Sequence, residues 1–214
     1  MATPEKLIVF DLDGTLHRTE VFAVKIHQLV QEEFGYPVQA SEFIQSTFGM
    51  PSQEYLPALL PGSNEEIQRN YVQRVIELED DYLYLAEAYS GSAEMLERLR
   101  AEGWVTAVCS NSSTRYISSV LKAIRLDELI DEIQPLEADL HSKDESLARL
   151  LARLEPKKAL MVGDTVFDLE AARKNNLPFI GCLYGFRPAE MATADRKVEN
   201  ASEIFAAAQE LLFS

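Results

Sequence analysis

Apolar positions along this chain follow two alternating patterns. Short unbroken runs, rich in β-branched residues, stand at Leu7–Phe10, Val105–Cys109, Leu160–Val162 and Phe179–Leu183, with a weaker one around Ile130–Ile133. Between them, apolar residues recur at helical spacing. Leu147, Leu150, Leu151 and Leu154 form one stripe, behind a Ser142–Glu145 pair that reads as a capping box. Ile117, Val120, Leu121 and Ile124 form a second, after Ser112 and Ser113, and Ile204, Phe205, Ala208, Leu211 and Leu212 mark a C-terminal helix. Unbroken apolar strands suit a sheet buried on both faces, and the intervening helices supply the cover. The pattern predicts an α/β fold built on a doubly wound parallel sheet.

The stretch between the first two runs breaks this alternation. Phe22, Ile26, Leu29 and Val30 outline one helix. Ile67, Tyr71, Val75, Leu78, Tyr82 and Leu85 outline a longer one, opened by Ser63-Asn64-Glu65-Glu66. Pro51 is placed to start a short helix at its first turn. A single crossover helix needs about a dozen residues, and about seventy are present here. The expected division is an α/β core from residues 1–16 and 87–214, with an inserted α-helical cap over residues 17–86 that lies over the site as a lid.

Composition narrows the function. The chain has 214 residues, nearly half of them hydrophobic, which is enough for a substantial core. No apolar run approaches the ~20 residues of a membrane span. The start, Met1-Ala2-Thr3-Pro4-Glu5-Lys6, lacks the charged-then-apolar layout of a signal peptide. A soluble cytoplasmic protein is expected. The formal net charge of −15 argues against nucleic acid, whose phosphates are neutralised by Lys and Arg. It argues equally against anionic membranes. A small phosphate ester remains open if the site carries its own cations, a bound divalent metal being the obvious one. Cys109 and Cys182 each close an apolar run and read as small buried hydrophobes. His17, His27 and His141 form no ligand spacing.

The candidate chemistry sits where apolar runs end. Asp11-Leu12-Asp13-Gly14-Thr15 follows the first run, with Gly14 allowing a tight turn. Ligands of open parallel sheets bind just beyond the carboxyl ends of the strands. Two acids two residues apart at such a point can divide a reaction, one as nucleophile and metal ligand, the other as general acid and base. Ser110 and Asn111 follow the second run and precede a helix, where a hydroxyl and free amides suit phosphate oxygens. Lys143 stands in the first turn of a helix, a position the helix dipole disfavours for a cation unless an anion compensates. Gly163-Asp164-Thr165-Val166-Phe167-Asp168 follows the third run. Asp164 shares the sheet edge of Asp11, and two such carboxylates suit a hard cation such as Mg²⁺. Thr165-x-x-Asp168 is a capping signature, so Asp168 is either a helix cap or a group supporting the metal or Lys143. Arg18 follows the first motif and is a candidate for substrate contact or for a solvated hinge.

Read in order, these four pieces resemble the haloacid dehalogenase superfamily, in particular its phosphatases with a helical cap inserted after the first motif. The resemblance runs the length of the chain, through Asp11-Leu12-Asp13-Gly14-Thr15, Ser110, Lys143, and Gly163-Asp164 with Asp168. The segment Gly181-Cys182-Leu183-Tyr184-Gly185-Phe186-Arg187-Pro188 also looks like the phosphoglycolate-phosphatase-like branch. The resemblance implies a Rossmann-like core and a Mg²⁺-dependent phosphatase acting on a small phosphate monoester. It implies that Asp11 attacks phosphorus to form an aspartyl-phosphate, and that Asp13 protonates the leaving alcohol and then activates water. Mg²⁺ would be held by the Asp11 carboxylate, the Asp13 backbone carbonyl and Asp164, with Asp168 beside them. Ser110 and Lys143 would neutralise the transferring phosphoryl group, and apart from the resemblance Asn111 and Arg18 remain candidates for substrate contact.

Some positions depart from the family. Arg18 stands where many relatives carry an aspartate, and Asp144 follows Lys143 where proline is common. The loop Gly49-Met50-Pro51-Ser52 lacks the basic residue with which phosphomutase relatives grip a second phosphate. A sugar phosphomutase is therefore the second enzymatic reading, and a dehalogenase fits less well because Asp13 is present. A non-catalytic protein that binds a phosphorylated ligand on the same fold is the alternative from another class. The expected substrates are a sugar phosphate, phosphoglycolate or a nucleotide monophosphate.

Overall fold

The computed structural model describes residues 3–50 and 52–213. Five of its strands fall on the apolar runs: β1 (Lys6–Phe10), β2 (Val105–Cys109), β3 (Glu132–Gln134), β4 (Lys158–Gly163) and β5 (Phe179–Cys182). A sixth, β6 (Arg196–Val198), completes a sheet of order β3-β2-β1-β4-β5-β6. Every pairing is parallel. From β1 the chain builds outward through β2 to β3, returns to the other side of β1 as β4, and builds outward again. The order thus reverses between β1 and β4, which makes their carboxyl ends the switch point where such sheets bind ligands.

Successive strand residues point to opposite faces, and the two faces bury different helices. Ile8, Phe10, Val108, Leu160 and Val162 pack against α5 (Ser92–Ala101), α6 (Thr114–Ala123) and α9 (Ile204–Phe213). Leu7, Val9, Ala107, Cys109 and Met161 pack against α7 (Lys143–Leu154) and α8 (Val166–Lys174). Both cysteines are buried and unpaired, and burial pushes the Cys109 thiol up to about 12, so it packs as a hydrophobe.

Between β1 and α5 the chain forms α1 (Glu20–Glu33), α2 (Ser41–Gln45), α3 (Ser52–Leu59) and α4 (Glu65–Tyr82). These helices bury a cluster of their own, including Phe22, Ile26, Val30, Ile44, Leu59 and Tyr71. His27 belongs to it: its Nδ1 lies 2.8 Å from the Tyr71 hydroxyl, and burial lowers its pKa to about 4, so it packs as a neutral ring. The outgoing and returning chains run side by side, with Arg18 N donating to Glu87 O and Tyr89 N to Leu16 O.

Local signals differ in detail from the expected ones. The cap of α4 is Asn64, whose side chain accepts from Ile67 N, one position later than a box on Ser63. Ser142 makes no side-chain cap, and Glu145 reaches past it to accept from His141 N. Pro51 lies outside the described residues, and the helix expected there is present as α3. Among the described residues no helix is long and apolar enough to cross a membrane.

Candidate active site

Each strand of the switch point hands one chemical group to the same edge. Asp11 is the first residue beyond β1, and its N–H still donates to Val162 O of β4 at 2.9 Å. Ser110 is the first beyond β2, its N–H bonded to Gln134 O at 3.1 Å. Asp164 is the first beyond β4. The sheet therefore fixes the backbone of all three before any side chain contributes.

Asp11, Asp164 and Asp168 are buried, and each offers a carboxylate oxygen within 4.8 Å of the others. Lys143 opens α7 and reaches into this group, ion-paired to Oδ1 of Asp11 and to Oδ1 of Asp168. The anion that its position at a helix start requires is thus a pair of carboxylates. Burial alone would depress the Lys143 ammonium, but Asp11 and Asp168 reverse that and raise it above its ordinary value. Desolvation pushes the Asp11 carboxyl up to about 7 against the pull of Lys143, with Asp168 and Asp13 adding to the rise. Asp164 is raised well above the usual carboxylate range by burial and by the charges of Asp168 and Asp11.

Three buried acids facing one ammonium leave a formal deficit of two positive charges, a costly arrangement unless another cation joins it. All available donors are hard oxygens, which fits a divalent ion of the Mg²⁺ or Ca²⁺ type. Asp11 and Asp164 can supply that ion's ligands. Asp168 is otherwise occupied. Its Oδ2 accepts from Asp164 N at 3.2 Å, Thr165 N at 3.0 Å and Thr165 Oγ1 at 2.8 Å, closing a capping box on α8, while Oδ1 faces Lys143. Capping and support of Lys143 are therefore combined in one side chain.

Glycines keep Asp164 in place. Gly14 turns the chain with φ +84°, and a Cβ there would lie 2.7 Å from Asp164 Cγ. A Cβ on Gly185 would stand 2.6 Å from the same atom. Phe186 N then donates to Asp164 Oδ2 at 2.7 Å.

Asp13 occupies different surroundings. Its Oδ1 accepts from Thr19 Oγ1 at 2.6 Å and from Tyr116 Oη at 2.8 Å, and His17 Nδ1 lies 3.2 Å away. Burial by itself would raise this carboxyl, but bonding by His17, Thr19 and Tyr116 outweighs it and holds the group below its usual range. The two neighbouring acids are thus pushed in opposite directions by their different surroundings. The Ser110 hydroxyl accepts from Ser112 N at 3.1 Å, which leaves its own proton to donate. Asn111 follows it at the mouth of α6, half-buried.

Arg18 is not drawn into this group. It pairs with Glu20 at 3.0 Å and Glu87 at 2.9 Å, at the paired connections of the helical segment. Conversely, His17 and Tyr116 lie against Asp13 although their sequence surroundings give no sign of it. Only the side-by-side course of the chain at residues 13–19 and the first turn of α6 brings them there. Helical residues also meet the core near the site: Phe48 packs on Phe186 with ring centroids 5.2 Å apart, and Arg187 donates to Ser46 O at 2.7 Å.

Comparison with known proteins agrees with this architecture. The family model for haloacid dehalogenase-like hydrolases matches residues 8–182. The chain is 29% identical over 201 residues to a phosphoglycolate phosphatase of Haemophilus influenzae (strain 86-028NP), covering 87% of this chain and 89% of that one. It is 30% identical over 189 residues to a phosphoglycolate phosphatase of Cereibacter sphaeroides, covering 85% and 87%. Among solved structures, that of a predicted phosphatase from Clostridium acetobutylicum superposes with a TM-score of 0.86 at 24% identity, covering 97% of this chain and 100% of the other.

Proposed function

The chain belongs to the haloacid dehalogenase-like hydrolases and is a phosphatase, and from that premise we propose that it cleaves a small phosphate monoester through a phosphorylated Asp11. The observation that carries this reading is the convergence of Asp11, Asp164, Asp168 and Lys143 at the switch point. Asp11 Oδ attacks phosphorus in line with the leaving alcohol. Asp13 gives its proton to that alcohol, then takes one from the water that hydrolyses the acyl phosphate. Lys143 and the Ser110 hydroxyl neutralise the equatorial oxygens, where phosphoryl transfer needs charge and positioning most. Asn111 borders the same phosphoryl position. Asp11, the Asp13 backbone carbonyl and Asp164 would hold Mg²⁺, and the ion would supply positive charge to offset the phosphoryl group and the buried carboxylates.

The helical segment 17–86 acts as the cap. A lid packed this closely must open for substrate and close against water, which suits a small ester better than a macromolecule. A cavity of about 280 Å³ opens at the seam, lined by Glu20, Glu42, Tyr89, Tyr184 and Phe186 among others. The cations of the helical segment support hydrolysis over phosphomutase chemistry. Arg18 and Arg74 are held in ion pairs, and Lys25 and Arg69 stand exposed.

A panel of small esters, a phosphopeptide and a DNA 5′-phosphate, assayed with Mg²⁺ and with chelator, tests the reading. Turnover should be confined to small esters, stop with chelator and return with Mg²⁺. Asp164→Ala should raise the Mg²⁺ concentration for half-maximal activity far more than Asp168→Asn does. Equal metal dependence in Asp164→Ala and the parent would show the ligand misassigned. Faster cleavage of the phosphopeptide or DNA than of every small ester would contradict the substrate class.

A further inference from the structure

The two oxygens of Asp13 are treated unequally. Oδ1 is crowded by Thr19, Tyr116 and His17. Among the described residues no donor reaches Oδ2, and the side chain keeps 17% of its surface open. Thr19 and His17 come from the turn that Asp13 itself begins. Tyr116 comes from the first turn of α6, 103 residues along the chain. That turn is held from both sides: Tyr116 packs against the sheet core and against the helical cluster. Its neighbour Arg115 pairs with Asp80 at 2.8 Å and Glu79 at 3.2 Å on α4.

A carboxylic acid carries its proton on one oxygen and accepts on the other. When the Asp13 carboxyl is protonated, donors gathered at Oδ1 keep that oxygen as the acceptor and place the proton on Oδ2. We propose that Tyr116 is a positioning residue for Asp13, fixing the carboxyl plane and reserving Oδ2 for proton exchange with the substrate. The proposal rests on the reading of Asp13 as acid and base. In the first step the Oδ2 proton moves to the leaving oxygen, which keeps the electron pair of the breaking P–O bond. In the second, Oδ2 takes a proton from water as the water oxygen bonds phosphorus and Asp11 departs with its own P–O pair.

The test uses leaving-group dependence. An alkoxide needs a proton to leave, whereas nitrophenolate does not. Tyr116→Phe removes one hydroxyl and no packing. Its kcat/KM is measured on p-nitrophenyl phosphate and on whichever alkyl phosphate of a panel the parent cleaves fastest, with Asp13→Asn alongside. For Tyr116→Phe, kcat/KM should fall about 10- to 100-fold on the alkyl ester, the scale of one hydrogen bond to a charged group, and within about threefold on the aryl ester. Asp13→Asn should show the same selectivity more strongly. Equal losses on both esters, or none, in Tyr116→Phe would overturn the positioning role while selective loss in Asp13→Asn leaves the acid assignment standing. If Asp13→Asn itself is indifferent to the leaving group, the assignment of Asp13 falls and takes the proposal with it.

Discussion

Replacing Asp11 by Asn is expected to lower kcat by about 10⁶-fold, the scale seen when a covalent enzyme loses its nucleophile. The amide is nearly isosteric, so the cavity beyond β1 stays filled. It has no anionic oxygen to attack phosphorus and is a poor ligand for a hard cation. The fold should persist, because Asp168 still pairs with Lys143 and the Asp11 backbone bond to Val162 is untouched. Steady-state assays on protein verified by mass as the amide, with circular dichroism to confirm folding, check this. Activity within tenfold of the parent would remove Asp11 from the reaction.

The second large effect belongs to Lys143. Lys143→Ala should lower kcat by about 10²–10³-fold, the cost of one preorganised group that stabilises transition-state charge. It should also destabilise the protein by about 3–5 kcal/mol near neutral pH, since it strands buried carboxylates without their cation. The sign of the pH dependence follows from the shifts. The Asp11 carboxyl is raised to about 7 in the folded protein, so it costs stability as pH rises from its ordinary value toward 7. Lys143 lowers that carboxyl, so its removal raises it further and deepens the cost at neutral pH. The raised Lys143 ammonium contributes stability in full below its ordinary value and loses it only in strong alkali. Melting curves in chelator should therefore show parent and Lys143→Ala converging near pH 4 and separating by pH 7.5. A constant separation across that range would show that the carboxylates are not what Lys143 offsets. Lys143→Arg should restore little, because a planar fork does not replace a compact charge in a buried site.

Strands β1, β2, β4 and β5 were legible because a parallel strand covered on both faces must be apolar throughout. β6 was not: of Arg196-Lys197-Val198 only Val198 is buried, so an edge strand paired on one side leaves no apolar run. α5 places Met95, Leu96 and Leu99 on the core at helical spacing, but its polar remainder blends into the surrounding turns. Asp11, Ser110 and Asp164 could be placed because each directly follows a strand, and strand ends need no tertiary information. Lys143 could be placed because a cation at a helix start is an anomaly that asks for an anion. The two roles of Asp168 were both visible in sequence as alternatives, and the structure fills each with a different oxygen. Tyr116 was out of reach, since its spacing beside Ile117 on α6 resembles that of any aromatic on a helix flank. Its partner Asp13 lies 103 residues away, and no local pattern encodes that distance.

The central claim is that phosphorus passes through Asp11. It is tested most directly by mixing the Asp13→Asn variant, in which hydrolysis of the intermediate is slowed by about 10²–10⁴-fold, with ³²P-labelled p-nitrophenyl phosphate, whose leaving group needs no proton, and quenching in acid within the first turnover. The account predicts a hydroxylamine-labile label that mass spectrometry places on the peptide containing Asp11, and no such label in Asp11→Asn. Phosphate release without protein-bound phosphorus, or a label that survives in Asp11→Asn, would contradict it.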